Sequence, residues 1–218
     1  DLGSFGNSAV PFTINDASQT DSDSLKITGK DTVAWNINNA NTGMAELVTF
    51  SNVENLLGAD DTDDTFLFSN DWGTYNITDS GGGDTLDFTG VTSNLTFTLK
   101  ADGSLSVTDG TNTLTATGIE ELIGGQGNNS FAFENNASFS GIIDGGQGVT
   151  NTLDYSAYTS AITVDLSLGT ATGTSGISNI SNVTGGSGAD TLTGDESVNV
   201  LTGGAGNDIL TGGEGNDT

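Results

Sequence analysis

Short runs along the chain alternate apolar and polar residues. Leu95-Thr96-Phe97-Thr98-Leu99 and Ile162-Thr163-Val164-Asp165-Leu166 each place every second side chain on one face. That is the period of a β-strand with one buried face. Thr, Val, Ile and Phe are enriched in these runs, as suits a pleated, half-buried surface. Gly-Gly and Gly-Asn-Asp clusters punctuate them and read as turns. No segment has a helical period. The pattern predicts an all-β chain.

The runs recur at fixed distances. At the C-terminus four nine-residue units follow one another: GGSGADTLT from Gly185, GDESVNVLT from Gly194, GGAGNDILT from Gly203 and GGEGNDT from Gly212. A longer unit lies upstream. FSNVENLLGADDTDDTFLF from Phe50, ATGIEELIGGQGNNSFAF from Ala116 and ISNISNVTGGSGADTLTG from Ile177 align, at offsets of 66 residues from Val53 to Ile119 and 61 from Ile119 to Ile180. A second matched block follows the first two copies, GGGDTLDFTGVTSNLTFTL from Gly81 and GGQGVTNTLDYSAYTSAITVDL from Gly145. Such self-similarity predicts stacked units. The expected organisation is a linker or atypical first coil over 1–25, degenerate repeats over 26–184 with modules near 46–111 and 112–172, and regular nonapeptides over 185–218. The chain starts at Asp1 without Met and stops at Thr218 within a repeat, which reads as a piece of something longer.

Composition adds a constraint. The 218 residues include 29 Asp and Glu, three Lys (Lys26, Lys30, Lys100), no His and no Cys, for a formal net charge of -26. A compact chain so charged repels itself, and a divalent cation is the simplest counterweight. Three lysines build no basic patch, which disfavours nucleic acid and anionic membrane surfaces as partners. No stretch is long and apolar enough for membrane insertion as a helix. Without Cys there are no disulfides and no thiolate metal sites.

The nonapeptide has the chemistry of a calcium turn. Glycines in its first six residues permit positive φ and let carbonyl oxygens point inward. The sixth residue supplies a carboxylate. Two stacked turns then offer the all-oxygen cage that Ca²⁺ prefers. The last three residues form a strand whose middle residue faces the core, here Leu192, Leu201 and Leu210. Residues 185–218 resemble the RTX, or haemolysin-type, calcium-binding repeat family. In that family two nonapeptides make one coil, so each turn stacks on its second neighbour.

The resemblance implies a right-handed parallel β-solenoid ending in a regular β-roll. It also implies a Ca²⁺ between the turns Gly185–Asp190 and Gly203–Asp208, held by carbonyls of Gly185, Ser187, Gly203 and Ala205 and carboxylates of Asp190 and Asp208. Asp217 is the matching ligand on the other flank. There the facing turn departs from the pattern, with Asp195, Ser197 and Asn199 in place of Gly, Gly and Asp. Residues 26–184 resemble looser β-strand repeats of very large bacterial surface proteins.

Other features have plainer readings. Phe66 with Phe68, Phe131 with Phe133, and Phe88 with Tyr155 occupy equivalent repeat positions and read as core filling rather than a glycan-stacking platform. Trp35 and Trp72 read as packed. Asp87 and Asp154 read as one structural position copied twice, not as the acid pair of a glycosidase. Thr-x-Thr runs at Thr96/Thr98, Thr113/Thr115/Thr117 and Thr170/Thr172/Thr174 read as β-propensity on a solvent face. The cluster Asp60, Asp61, Asp63 and Asp64 reads as a solvated acidic turn, with a different Ca²⁺ site as the alternative.

No nucleophile–base pair, phosphate loop or zinc motif is present, so the segment is expected not to be an enzyme. The resulting expectation is a calcium-dependent structural or adhesive module of a secreted bacterial surface or extracellular-matrix protein, folding on Ca²⁺ outside the cell. Its partners would be calcium, further repeats of the same chain and homotypic end-to-end contacts. The alternatives are a glycan- or ice-binding solenoid and a non-catalytic appendage of a secreted enzyme.

Overall fold

The computed structural model describes residues 12–15, 22–27, 32–46 and 48–218. Their regular structure is all strand, 23 short segments with no helix among the described residues. Among the described residues no helix is therefore long and apolar enough to cross a membrane. The strands form sheets of nine, ten and four members. Most neighbours are parallel, as the repeats predict.

In the ten-stranded sheet Ser130–Phe133, Thr152–Asp154, Asn182–Thr184 and Val200–Thr202 lie side by side in that order. In the four-stranded sheet Thr163–Asp165, Thr191–Thr193 and Ile209–Thr211 do the same. Parallel neighbours distant in sequence mean that the chain crosses to another sheet and returns. Within the nonapeptides the return takes 18 residues, the length of two units.

Upstream, the purely parallel expectation needs correction. Ala34–Asn39, Thr42–Ala45 and Val48–Ser51 fold as an antiparallel meander in the nine-stranded sheet. Thr96–Leu99, Leu105–Thr108 and Thr113–Thr117 do so in the ten-stranded sheet. Thr163–Asp165 and Thr170–Ala171 make a smaller hairpin. The cause is local. A parallel return needs about a dozen residues or more, and the links here are tight turns. Asp102-Gly103 and Asp109-Gly110 are hairpin signals. Their aspartates accept backbone N–H bonds from Ser104, Thr111 and Asn112 at 2.7–2.9 Å. Each meander docks through parallel outer strands, Ala34–Asn39 on Thr65–Ser69 and Thr96–Leu99 on Ser130–Phe133.

The meanders explain the long module. From Asn55–Leu57 to Thr113–Thr117 the first module visits the sheets five times, with four single strands and one meander. Because five is odd, an equivalent strand lands on the opposite sheet in the next copy. Asn55–Leu57 lies in the ten-stranded sheet and its counterpart Glu121–Ile123 in the nine-stranded one.

Inward side chains stack in register. Trp35, Phe66, Leu86, Leu122, Ile143 and Ile177 run across one sheet. Phe97, Phe131, Leu153, Val183 and Leu201 run across the other. Face-to-face stacks join Phe68 to Phe88 at 4.5 Å, Phe97 to Phe131 at 4.4 Å and Phe133 to Tyr155 at 4.5 Å. The paired aromatics, and both tryptophans, are core. This aromatic filling ends at Tyr158. Beyond it each strand contributes one aliphatic residue. Leu192 is buried, Leu201 partly buried, and Leu210 is 48% exposed.

Of the expected segment 1–25, most lies outside the described residues. Within it Phe12–Asn15 pairs with Val48–Ser51, and Ser24–Lys26 with Asn55–Leu57. The taper of the core has a measurable consequence. Phe131→Ala is expected to cost about 3–5 kcal/mol in urea unfolding, through lost burial and a residual cavity. Leu210→Ala is expected to cost well under half of that, and equal losses would contradict the taper.

Candidate metal centre

Asp190, the sixth residue of its turn, is buried and bonds to backbone on its own coil and on the one before. Asp190 Oδ2 accepts the Gly186 N–H at 2.8 Å, closing its own turn. Its Oδ1 accepts the Ile162 N–H of the preceding coil at 2.9 Å. Its own N–H donates to Asp208 Oδ1 of the next coil at 2.9 Å. The same link recurs from Asn199 N–H to Asp217 Oδ1 at 3.0 Å, Asn129 N–H to Asn151 Oδ1 at 2.9 Å, and Asp64 N–H to Asp84 Oδ1 at 2.8 Å. The coils stack closely enough that glycine is required beside this ladder. Gly204 (φ +88°) and Gly206 (φ +125°) are left-handed, and side chains there would overlap the Gly186 and Gly188 carbonyls.

Turns with Asn and turns with Asp differ in one decisive respect. Asn129 Nδ2 donates to the Gly145 carbonyl at 2.9 Å and to the Gly125 carbonyl at 3.2 Å. Asn151 Nδ2 donates to the carbonyls of Gly148 at 3.0 Å and Asn179 at 2.9 Å. These turns supply their own positive hydrogens. In the equivalent place of the C-terminal turn, Asp190 Oδ2 stands where Asn129 Nδ2 stood. A Cβ built on Gly185 would lie 2.5 Å from both Asp190 Oδ2 and the Gly203 carbonyl oxygen. Carboxylate and carbonyl are both acceptors. A buried anion facing an acceptor is costly unless a cation lies between them. All donors are oxygen, which suits Ca²⁺ and not zinc or copper. The residues present therefore fit the ion.

The structure brings Gly185, Asp190, Gly203 and Asp208 together across the two stacked turns. Ser187 and Ala205 lie at the exposed outer corners of those turns, with their N–H groups donating to the carbonyls of Tyr158 and Gly186. Asp217 lies on the other flank. Its partner there is Asn199, whose Oδ1 accepts the Asp195 N–H at 2.8 Å and whose Nδ2 donates to the Ser181 carbonyl at 3.0 Å.

The upstream acidic turn divides in two. Asp60, Asp61 and Asp63 are exposed, as a solvated turn requires. Lys26 Nζ pairs with Asp60 Oδ1 at 2.7 Å, and this bond holds the Asp60 carboxyl below its usual range. Asp64 departs from that reading and is fully buried. Oxygens of Asp64, Asp79 and Asp84 lie within 4.8 Å of one another. Burial, reinforced by the neighbouring Asp84, Asp64 and Glu120, pushes the Asp79 carboxyl up to about 7. Burial and the charges of Glu120, Asp64 and Asp63 push Asp84 up to about 6. Two unit charges at 4.8 Å repel by about 3–4 kcal/mol at an effective dielectric of ~20. Sequence reading missed Asp79 and Asp84 in this role. The trace was there, since DSGGGDTLD from Asp79 is a six-residue turn with Asp at its first and last positions.

Asp87 and Asp154 are separated onto different sheets. Each caps the backbone two residues on, Asp87 at Thr89 N–H and Asp154 at Ser156 N–H, both at 2.8 Å. Identical bonds in two modules are one structural role repeated, as the sequence indicates. Thr113, Thr115 and Thr117 lie in register with Thr74, Asn76 and Thr78 on an outer sheet face.

Residues 184–218 match the family model of the RTX calcium-binding nonapeptide repeat, in four copies. This tract consists of RTX repeats. The family binds Ca²⁺ through a non-catalytic structural motif and is typical of secreted bacterial proteins. No curated protein matches the chain.

The Asn–Asp contrast makes reciprocal expectations for thermal melting with and without EGTA. Asn129→Asp removes the hydrogens that satisfy the Gly125 and Gly145 carbonyls. It is expected to destabilise the chain in EGTA by about 1–3 kcal/mol, with Ca²⁺ restoring part of the loss. Asp190→Asn is expected to melt in EGTA no lower than the parent and to respond less to Ca²⁺. Equal responses of both variants to Ca²⁺ would refute the contrast.

Proposed function

We propose that the chain is a calcium-dependent structural and adhesive repeat module of a secreted bacterial surface or extracellular-matrix protein. The observation that carries this reading is the pair of acceptors, Asp190 Oδ2 and the Gly203 carbonyl, facing each other across stacked turns. In this reading Ca²⁺ is held by the carboxylates of Asp190 and Asp208 and the carbonyls of Gly185, Ser187, Gly203 and Ala205. Asp217 contributes on the opposite flank with an Asn199 partner, which makes that site weaker. The coils wind as a right-handed solenoid and close into a regular roll over 185–218.

The mechanism is metal-linked folding. Each strand of the RTX tract turns one leucine toward the core, of which only Leu192 is fully buried, too little to offset the entropy of ordering its glycine-rich turns. An ion that binds the folded turns alone stabilises them by mass action. Extracellular calcium modules bind at about 0.1–1 mM, so the tract orders once the chain has left the cell. Upstream, the aromatic core supplies stability of its own, and the organisation into degenerate repeats over 26–184 and a regular roll over 185–218 follows this divide.

In this reading the coils pair through their strand edges with further repeats of the same chain, and homotypic end-to-end contacts use the same edges. Titration of the EGTA-treated chain with Ca²⁺, followed by far-UV circular dichroism, tests the reading. A cooperative but partial gain of β signal at millimolar Ca²⁺ or below is expected, and Asp190→Ala/Asp208→Ala should weaken it. Full signal in EGTA with no response to Ca²⁺ would overturn the proposed switch.

A further inference from the structure

We propose that Asp64, Asp79 and Asp84 form a second, buried Ca²⁺ site, upstream of the RTX tract and built on a different ligand set. The framework of hydrogen bonds is shared with the tract. Asp64 Oδ2 accepts the Ala59 N–H at 2.5 Å and Oδ1 accepts the Val33 N–H at 2.7 Å, as Asp190 does with Gly186 and Ile162. Asp64 N–H donates to Asp84 Oδ1, as Asp190 N–H does to Asp208. Asp79 stands five residues before Asp84, the place that Gly203 holds before Asp208. Where the tract offers the Gly203 carbonyl, this turn offers a third carboxylate.

Room for that carboxylate comes from Gly58. A Cβ at Gly58 would overlap the Asp79 carboxylate, so a glycine is required where the two turns meet. Asp79 Oδ1 accepts the Ser80 N–H at 2.7 Å, while its Oδ2 is buried with no hydrogen-bond partner. Asp84 Oδ2 is likewise buried and unpartnered. The residues themselves are only 7% and 0% exposed. Buried polar atoms are nearly always satisfied, and an unsatisfied carboxylate oxygen aimed at two other carboxylates points to a missing cation. The nearby Lys26 engages Asp60 instead. Glu120 adds a further negative charge beside Asp84, whose N–H donates to Glu120 Oε2 at 3.0 Å.

Three carboxylates with no nitrogen or sulfur donor select a hard ion. Ca²⁺ takes many protein oxygens in flexible geometry, whereas Mg²⁺ keeps several waters that a buried site disfavours. The site lies outside residues 184–218 and stands or falls separately from the tract.

Radiocalcium equilibrium dialysis of the full chain tests it, together with melting in EGTA and in CaCl2. A variant with Asp190→Asn, Asp208→Asn and Asp217→Asn leaves the upstream carboxylates intact and is expected still to bind one Ca²⁺. Adding Asp79→Asn should abolish that binding. Asp79→Asn alone should lower the wild-type count by one, melt no lower than wild type in EGTA, and gain less from CaCl2. If the tract variant binds no Ca²⁺, or if Asp79→Asn leaves both the count and the CaCl2 gain unchanged, the upstream site is refuted whatever the tract does. If the tract variant keeps the full wild-type count, the tract reading fails and the upstream site is judged on Asp79→Asn alone.

Discussion

Coil-to-coil cohesion at the turns rests on one side chain, the Asp or Asn that ends each turn. Its oxygen accepts an N–H from the coil before. Its second terminal atom accepts an N–H of its own turn in Asp64 and Asp190, or donates to a carbonyl of that turn in Asn129 and Asn151. The backbone N–H of Asp64, Asn129, Asp190 and Asn199 donates to the counterpart on the coil after. Because this side chain is buried, its chemistry sets what else the turn needs. An amide brings two hydrogens and satisfies the surrounding carbonyls. A carboxylate brings only acceptors and leaves a cradle of oxygen around a negative charge. The choice between two nearly isosteric residues thus decides whether a given turn is complete in itself or waits for a cation.

From Gly124 onward the two choices follow the core. Turns Gly124–Asn129 and Gly145–Asn151 sit over stacked aromatics and use the amide. The turns of the C-terminal tract sit over a single aliphatic residue per strand and use mainly the carboxylate. Between these two groups of turns, the larger apolar core goes with the self-contained turn and the smaller core leaves stability to an ion, whereas Asp64 and Asp84 set carboxylates over the stacked Phe68 and Phe88. Glycine follows the same logic. It appears where one turn's carbonyl or carboxylate presses against the next coil, as at Gly185 and Gly58, and a methyl group there would occupy the cradle itself.

Much of this was legible along the chain. Alternating apolar residues mark the strands, and the nine-residue spacing of Leu192, Leu201 and Leu210 marks the tract. The equivalent aromatic pairs are core because a copied apolar position in a stacked array meets its own copy. The meanders were less visible, although Asp102-Gly103 and Asp109-Gly110 carry the turn chemistry for them. Alternating strands look alike whether the return is parallel or antiparallel, and only the length of the link separates the two. The cluster from Asp60 to Asp64 looked uniformly acidic, yet one member is buried and the rest face water. A turn of irregular length hides which carboxylate faces in.

The sequence by itself determined that this is an all-β repeat chain, that its acids outnumber its bases too far for internal neutralisation, and that its last residues carry the RTX pattern. These follow from periodicity, composition and a contiguous motif, all of which are local. Only the tertiary structure decided that Asp64, Asp79 and Asp84 converge, and that Asn129 Nδ2 occupies the place held in the tract by Asp190 Oδ2. Both are contacts between coils. They depend on how many residues each coil spends before it returns, which differs from 18 in the tract to 20 between Asp64 and Asp84. Each meander lengthens the return that contains it, to 31 residues from Val33 to Asp64 and 34 from Leu95 to Asn129, so no fixed spacing in the sequence records which turns will meet.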